Sequence, residues 1–357
     1  MGGMSSSPRL RRIATVAVSV FVLLALLVVG NQVRVPYVAL GPGPTLNTLG
    51  TAKVEDDGEV VERRVVQIDG VPTEPADGHL DLTTVSVHDG LTLFSALGKW
   101  MSGTYSVTPR DEVYPPDRTT EEVRQENTAQ MVGSEENATA AALRYLDRPT
   151  ALRVAGVEPD GPAKGVLQVG DEVVRIAGVE VETVKQMREV VSKKAPGTEV
   201  PIEIVRQGAP QTVTVTVAQH PADEENGFLG VTAHVVNADP SLKVTYTVGD
   251  IGGPSAGMML ALAVIDQLTP GALTHGEFVA GTGTIDPDGE VGPIGGITHK
   301  TRAARDAGAK VFLVPARNCA EAVSERPDGL ELVKVESLDG AVDALDAIGA
   351  GKPAPTC

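Results

Sequence analysis

From Ile13 to Val29 the chain is apolar at every position except Thr15 and Ser19, and Arg9, Arg11 and Arg12 precede the run. As a helix rising ~1.5 Å per residue it spans about 25 Å, and extension through Gly30 brings residues 13–30 close to the thickness of a bilayer core. The run is longer than the apolar region of an ordinary signal peptide, and no Ala-x-Ala-like site follows it. It therefore reads as a retained anchor rather than a cleaved signal. The basic flank places residues 1–12 in the cytoplasm and the chain after Asn31 on the extracytoplasmic side.

Beyond the span the pattern changes register several times. Val35–Leu49 holds Pro36, Gly41, Pro42, Gly43 and Pro44, which predicts an irregular connection. Val65–Ile68 and Leu80–Val87 read as strands, Leu91–Trp100 as a short helix, and Thr119–Leu146 as a helix interrupted at Gly133. Residues 31–146 carry no assignable chemistry and are expected to be a membrane-proximal module joining the anchor to the working domains. Strand-like alternation returns at Leu152–Val157, followed by the Gly161-Pro162-Ala163 turn and a hairpin from Gly170-Asp171 to Val179. Thr183–Lys194 is helical, with Val184, Met187, Val190 and Val191 on one face, and Val200–Val205 and Val213–Val217 are strands. The remainder alternates strand and helix: Leu242–Val248, Ser255–Leu268, Glu277–Ile285, a helix bearing Lys300, and Val311–Val314.

Composition narrows the partners. Asp and Glu outnumber Lys and Arg by 47 to 30, a net charge of -17, and such a surface repels nucleic acid. Two cysteines, Cys319 and Cys357, form no CxxC pair, and no cluster of His has ligand spacing, so neither a metal nor another cofactor is expected. In an exported domain these two are candidates for a disulfide, although sequence alone does not show that they approach.

The candidate chemistry lies between Gly249 and Lys300. Gly252-Gly253-Pro254-Ser255-Ala256-Gly257 leads from a strand into a helix, a place where serine is most often only a cap, and where exposed amides also suit an anion. A lysine deprotonates a serine only if its pKa falls well below ~10.4, which burial achieves. His299 neighbours Lys300 but projects about 100° away on a helix, and is expected to face solvent or bond locally.

Two resemblances organise these parts. The order of turn, Gly-Asp pair and hairpin across Asp147–Gln219 resembles a PDZ domain, which takes an extended C-terminal peptide on a sheet edge beside a helix. Mapped here, the resemblance puts peptide-binding positions at Pro149, Thr150, Ala151, Leu152 and Val154, with Thr183–Lys194 as the flanking helix. Gly253-Pro254-Ser255-Ala256-Gly257, Thr282-Gly283, Gly292-Pro293-Ile294-Gly295-Gly296-Ile297 before Lys300, and Val311–Pro315 with Asn318 resemble the Lon proteolytic domain over 228–349. That resemblance implies Ser255 as nucleophile, Lys300 as general base, Thr282 as the hydroxyl holding the lysine, and backbone at Gly253, Pro254 and Ser255 stabilising an oxyanion.

The expected architecture is α/β (α+β): a cytoplasmic terminus (1–12), an anchor (13–30), a membrane-proximal module (31–146), a small β-rich PDZ-like domain (147–219), a Lon-type proteolytic domain (228–349) and a tail (350–357). Combined, the resemblances are to membrane-anchored bacterial proteases that pair a PDZ domain with a Lon-type domain. No GxxxxGK[ST] occurs, so the expected activity is an ATP-independent serine endopeptidase taking protein substrates by their C-terminal tails. The membrane is the second expected partner, and a homo-oligomer is left open. The competing readings are a PDZ-type peptide-binding scaffold whose Lon-like domain is not catalytic, and a phosphate-binding enzyme using the Gly-rich turn.

Overall fold

The computed structural model describes residues 8–56, 58–75, 78–221 and 223–357. The chain divides into two units, one of Met1–Pro44 with Thr84–Val123 and one of Thr45–Thr83 with Arg124–Cys357.

In the smaller unit the apolar run lies in a helix, Pro8–Gln32. Tyr37–Asn47 is a strand, not the irregular connection that its glycines and prolines predict, and Tyr37–Leu40 pairs antiparallel with Ser106–Pro109. Side-chain hydroxyls satisfy the carbonyls of two of these prolines: Thr84 Oγ1 donates to Pro44 O at 2.7 Å and Ser86 Oγ to Pro42 O at 3.0 Å. Gly41 is needed for packing, because a Cβ there would lie 2.4 Å from the Tyr105 ring. The short helix, Leu93–Met101, starts at Thr92, whose side chain accepts from Ser95 N.

The larger unit contains a parallel sheet. Phe278–Gly281 lies between His79–Leu82 and Val311–Pro315, and the latter pairs with Glu331–Val335. Period-two alternation divides these strands between two cores. Val311, Leu313 and Val333 face one, with Leu80, Leu82 and the helix Gly257–Leu268; Phe312, Val314 and Leu332 face the other, with Ile297 and Ala304. Helices on both faces make this the α/β layer arrangement. Gly257–Ile265 is apolar on every side because it is enclosed: every residue of the helix Gly257–Leu268 except Leu268 is buried. Each fully buried Met or Leu in it contributes about 1.5–3 kcal/mol.

Residues 31–146 are not merely a spacer. Val66–Asp69 pairs with Lys243–Tyr246, and Leu49, Val65, Leu80 and Leu82 join the core around Gly257–Leu268. Thr120–Tyr145 is one continuous helix through Gly133, and its Met131, Ala138, Ala141 and Ala142 enter the same core. Small alanines there let the helix seat closely on the core.

The second sheet runs in the order Ala209–Thr216, Glu199–Arg206, Glu172–Ile176, Thr150–Val157, Val231–Asn237. Its last strand lies beyond Phe228, where the sequence pattern starts the proteolytic domain, yet it pairs with Thr150–Val157 along its length. Helix Val184–Ser192 covers the same core through Met187 and Val191. Asp171 is structural in this fold: it accepts from Arg206 Nε and Nη2, both at 2.7 Å, and from Gln168 N at 2.8 Å.

Candidate active site

Ser255 and Lys300 come from opposite faces of the parallel sheet and meet beyond the C-terminal end of its strand Phe278–Gly281. Ligand sites in α/β sheets gather at that end. Helix Gly257–Leu268 begins two residues after Ser255, with Ala256 at the cap position and no side-chain capping bond. Ser255 is therefore not a cap, and its hydroxyl is directed elsewhere: Lys300 Nζ is 2.8 Å from Ser255 Oγ. Lys300 sits in helix Ile297–Ala307, started by Gly296 in the left-handed region (φ 68°).

The lysine is 3% exposed, and burial alone lowers its pKa to about 7. Its second partner is Thr282 Oγ1 at 2.9 Å. That hydroxyl donates to Ser255 O, also at 2.9 Å, so it has only lone pairs to offer the amine. An N–H of neutral Lys300 then points to Thr282, and the nitrogen lone pair is available to the serine proton. Gly283 N also donates to Ser255 O at 2.9 Å, and Met258 N to Gly283 O at 3.1 Å. These bonds tie the serine turn to the end of the central strand.

A cleft of about 330 Å³ opens beside the pair, lined by Pro254, Ser255, Thr284, Pro293, Ile294 and Gly295. Asn318 holds its rim: its Oδ1 accepts from Ile294 N and its Nδ2 donates to Ile294 O, both at 2.9 Å. Cys319, the next residue, is joined by a disulfide to Cys357, with their Cα atoms 5.1 Å apart.

The expected oxyanion donors need correction. Gly253 N already donates to Asn127 O at 2.8 Å, and Pro254 has no N–H, so Ser255 N is the one donor of the three that remains. Ser134 Oγ donates to Pro254 O at 3.1 Å. In a trans peptide the following N–H points the opposite way, so this bond sets the direction of Ser255 N–H. Asn137 Nδ2 also donates to Ile285 O at 3.2 Å. The long helix thus braces the serine turn through the backbone carbonyl of Asn127 and the hydroxyl of Ser134, and holds Ile285 O through Asn137. The only signal in the sequence for Ser134 and Asn137 was their spacing of three, which suits one helical face; a bond to the backbone of Asn127 leaves no signal in residue type. His299 is buried rather than solvent-facing.

The peptide-binding positions also need correction. Thr150–Val157 is flanked on both sides, with Leu152 opposite Val235 in one neighbour and opposite Val173 in the other. Val154 is further closed by bonds to Asp171 O and from Gly170 N, both 2.8 Å. Pro149, Thr150, Ala151, Leu152 and Val154 thus border no open edge for an added strand, and Ala151, Leu152 and Val154 are core residues. A groove of about 480 Å³ lies elsewhere, against helix Val184–Ser192, where Val184, Met187 and Val191 face Phe228, Leu229 and Val231. Val231–Asn237 ends the sheet order, so among the described residues it pairs on one side only.

Comparison with known proteins finds two family matches. Residues 125–217 match the family model of the PDZ domain, and residues 229–345 that of the Lon protease (S16) C-terminal proteolytic domain. The archaeal Lon protease of Methanothermobacter thermautotrophicus is 33% identical over 120 residues, which cover 33% of this chain and 18% of that protein. Lon protease 2 of Bacillus subtilis is 34% identical over 109 residues, covering 30% and 19%. A probable periplasmic serine endoprotease, DegP-like, of Pseudomonas fulva is 38% identical over 95 residues, covering 26% and 20%. The chain thus spans about a fifth of the length of these curated relatives. It carries a PDZ domain followed by a Lon-type proteolytic domain.

Proposed function

We propose that the protein is an ATP-independent serine endopeptidase, tethered to the cytoplasmic membrane with its catalytic part on the extracytoplasmic side. It cleaves exported or membrane proteins chosen through the PDZ groove. The observation that carries this reading is the buried Lys300 amine, with a pKa near 7, held 2.8 Å from Ser255 Oγ and oriented by Thr282. A buried lysine with no ionic partner among the described residues costs stability, which speaks against a scaffold whose Lon-like domain is inert. Tethering is supported by the helix Arg12–Gln32, long and apolar enough to cross a bilayer and only 6% buried, unlike a core helix.

In the reaction, neutral Lys300 accepts the Ser255 proton as Oγ attacks the scissile carbonyl carbon. The carbonyl oxygen takes the negative charge and is met by Ser255 N–H. Collapse of this intermediate breaks the C–N bond, and the ammonium of Lys300 returns its proton to the departing amine. Lys300 then removes a proton from water, which attacks the acyl ester and releases the acid, restoring Ser255. No step consumes a nucleotide, in keeping with the lack of a phosphate-loop motif in these 357 residues.

The test is incubation of the full chain with an unfolded protein substrate in the absence of ATP, comparing wild type with Ser255→Ala and Lys300→Met. Cleavage by the wild type alone is expected. Equal cleavage by both variants overturns the pair, and a cellular effect that survives Ser255→Ala favours the scaffold.

A further inference from the structure

Helix Leu93–Met101 contradicts the usual burial of apolar side chains. Leu93, Leu97, Trp100 and Met101 are 47, 44, 65 and 72% exposed. At ~100° per residue these four fall within about 100° of arc, so they form one stripe rather than a scatter. Lys99 carries the one charge of the helix and lies off that stripe, its ammonium 3.7 Å from the centre of the Tyr105 ring. Of the helix only Ala96 is buried, against Ala39 and Leu91.

The stripe is tied to the end of the apolar span. Val35 N donates to Leu91 O at 2.9 Å, and Leu93 N donates to Val33 O at 3.0 Å. Arg34 and Thr92 form an antiparallel bridge between them. Gly30 in the span abuts the Phe94 ring, where a Cβ would lie 2.2 Å away. The first turn of the short helix is therefore held within a few residues of where the span leaves the bilayer.

We infer that Leu93–Met101 lies in the membrane interface, its Leu93, Leu97, Trp100 and Met101 stripe inserted among the headgroups and upper acyl chains on the extracytoplasmic side. The occupant of this face is lipid. The inference rests on the reading of Arg12–Gln32 as an anchor, because that span brings the stripe to the bilayer. Helices of this kind bury an apolar face ~5–10 Å deep, and Trp is favoured at that depth because its ring is amphipathic. Two attachments, a span and an interfacial helix, restrict the tilt of the unit that carries them more than a single flexible tether does.

Trp100 is the only tryptophan in the chain, so its fluorescence reports on this helix without further labelling. The full chain is reconstituted in vesicles of phosphatidylcholine and phosphatidylglycerol carrying a nitroxide either near the headgroup or deep in the acyl chain. Blue-shifted emission is expected, with about half lost to the shallow quencher and less to the deep one. Leu97→Ser with Met101→Ser is expected to reduce that quenching while the protein remains in the vesicles. Vesicle flotation after alkaline extraction separates the two levels. If the chain floats but neither nitroxide quenches Trp100, the interfacial helix is wrong and the anchor stands; blue-shifted, unquenched emission then indicates a protein partner or second copy. If the chain does not float, both are overturned.

Discussion

The serine-lysine cleft and the groove beside helix Val184–Ser192 differ in how they are specified. The cleft is assembled from short segments whose chemistry is local: a glycine-rich turn, a hydroxyl at a strand end and a lysine in the first turn of a helix. The groove has no special side chain at all. It exists because Val231–Asn237 ends the sheet with one side unpaired among the described residues, and that depends on a strand about eighty residues distant from its partner. A motif can therefore announce a reactive site, whereas an open edge is a property of the whole sheet.

The largest effects test the cleft. Ser255→Ala and Lys300→Met are each expected to lower kcat/KM by about 10⁴-fold or more, because a nucleophile and its base act as a unit. Neither should change affinity for a tail peptide in the groove, measured by titration calorimetry. Lys300→Met should also raise thermal stability by about 1–3 kcal/mol, since it removes a buried polar group. A protein that stays active, or that loses stability, breaks the account of the cleft.

The pH dependence has its origin in the same burial. With the Lys300 pKa at about 7, cleavage should fall about tenfold per unit below that value, as read from kcat/KM against pH. For stability the sign is opposite to that of a paired lysine. The folded state bears the full penalty below about 7, and the penalty fades as pH rises towards the ordinary lysine value of ~10.4. Denaturant titrations at pH 6 and pH 9 measure this difference.

Smaller effects test the groove. Val184→Glu is expected to raise KM about tenfold for a substrate bearing an apolar C-terminal tail, with little change in kcat and none for a tail-less peptide. Thr150→Glu, on the strand that is flanked on both sides, should leave tail binding unchanged. The reverse result would return the groove to Thr150–Val157. Least of all should activity respond to Cys319→Ser with Cys357→Ser, although the loss of a link closing 38 residues lowers stability by up to about 4 kcal/mol in thermal melts.

The amino-acid sequence alone was enough to indicate the apolar span, the two kinds of domain and the trio Ser255, Thr282 and Lys300. The span is visible in its unbroken apolar run, whereas the domains and the trio were implied by short ordered motifs that resemble known families, each motif being local in the chain. What the tertiary structure decided is everything that depends on pairing at long range. It drew Leu49, Val65, Leu80 and Leu82 into the proteolytic core, although the segment that holds them shows no chemistry of its own. It used Ser134 and the backbone of Asn127 to brace the serine turn, and it took Gly253 N–H out of the set of oxyanion donors. It also closed both sides of Thr150–Val157. The physical reason is the same throughout: a hydrogen bond or a buried face is satisfied by whichever partner folding brings near, and a linear pattern records the need for a partner without recording its identity.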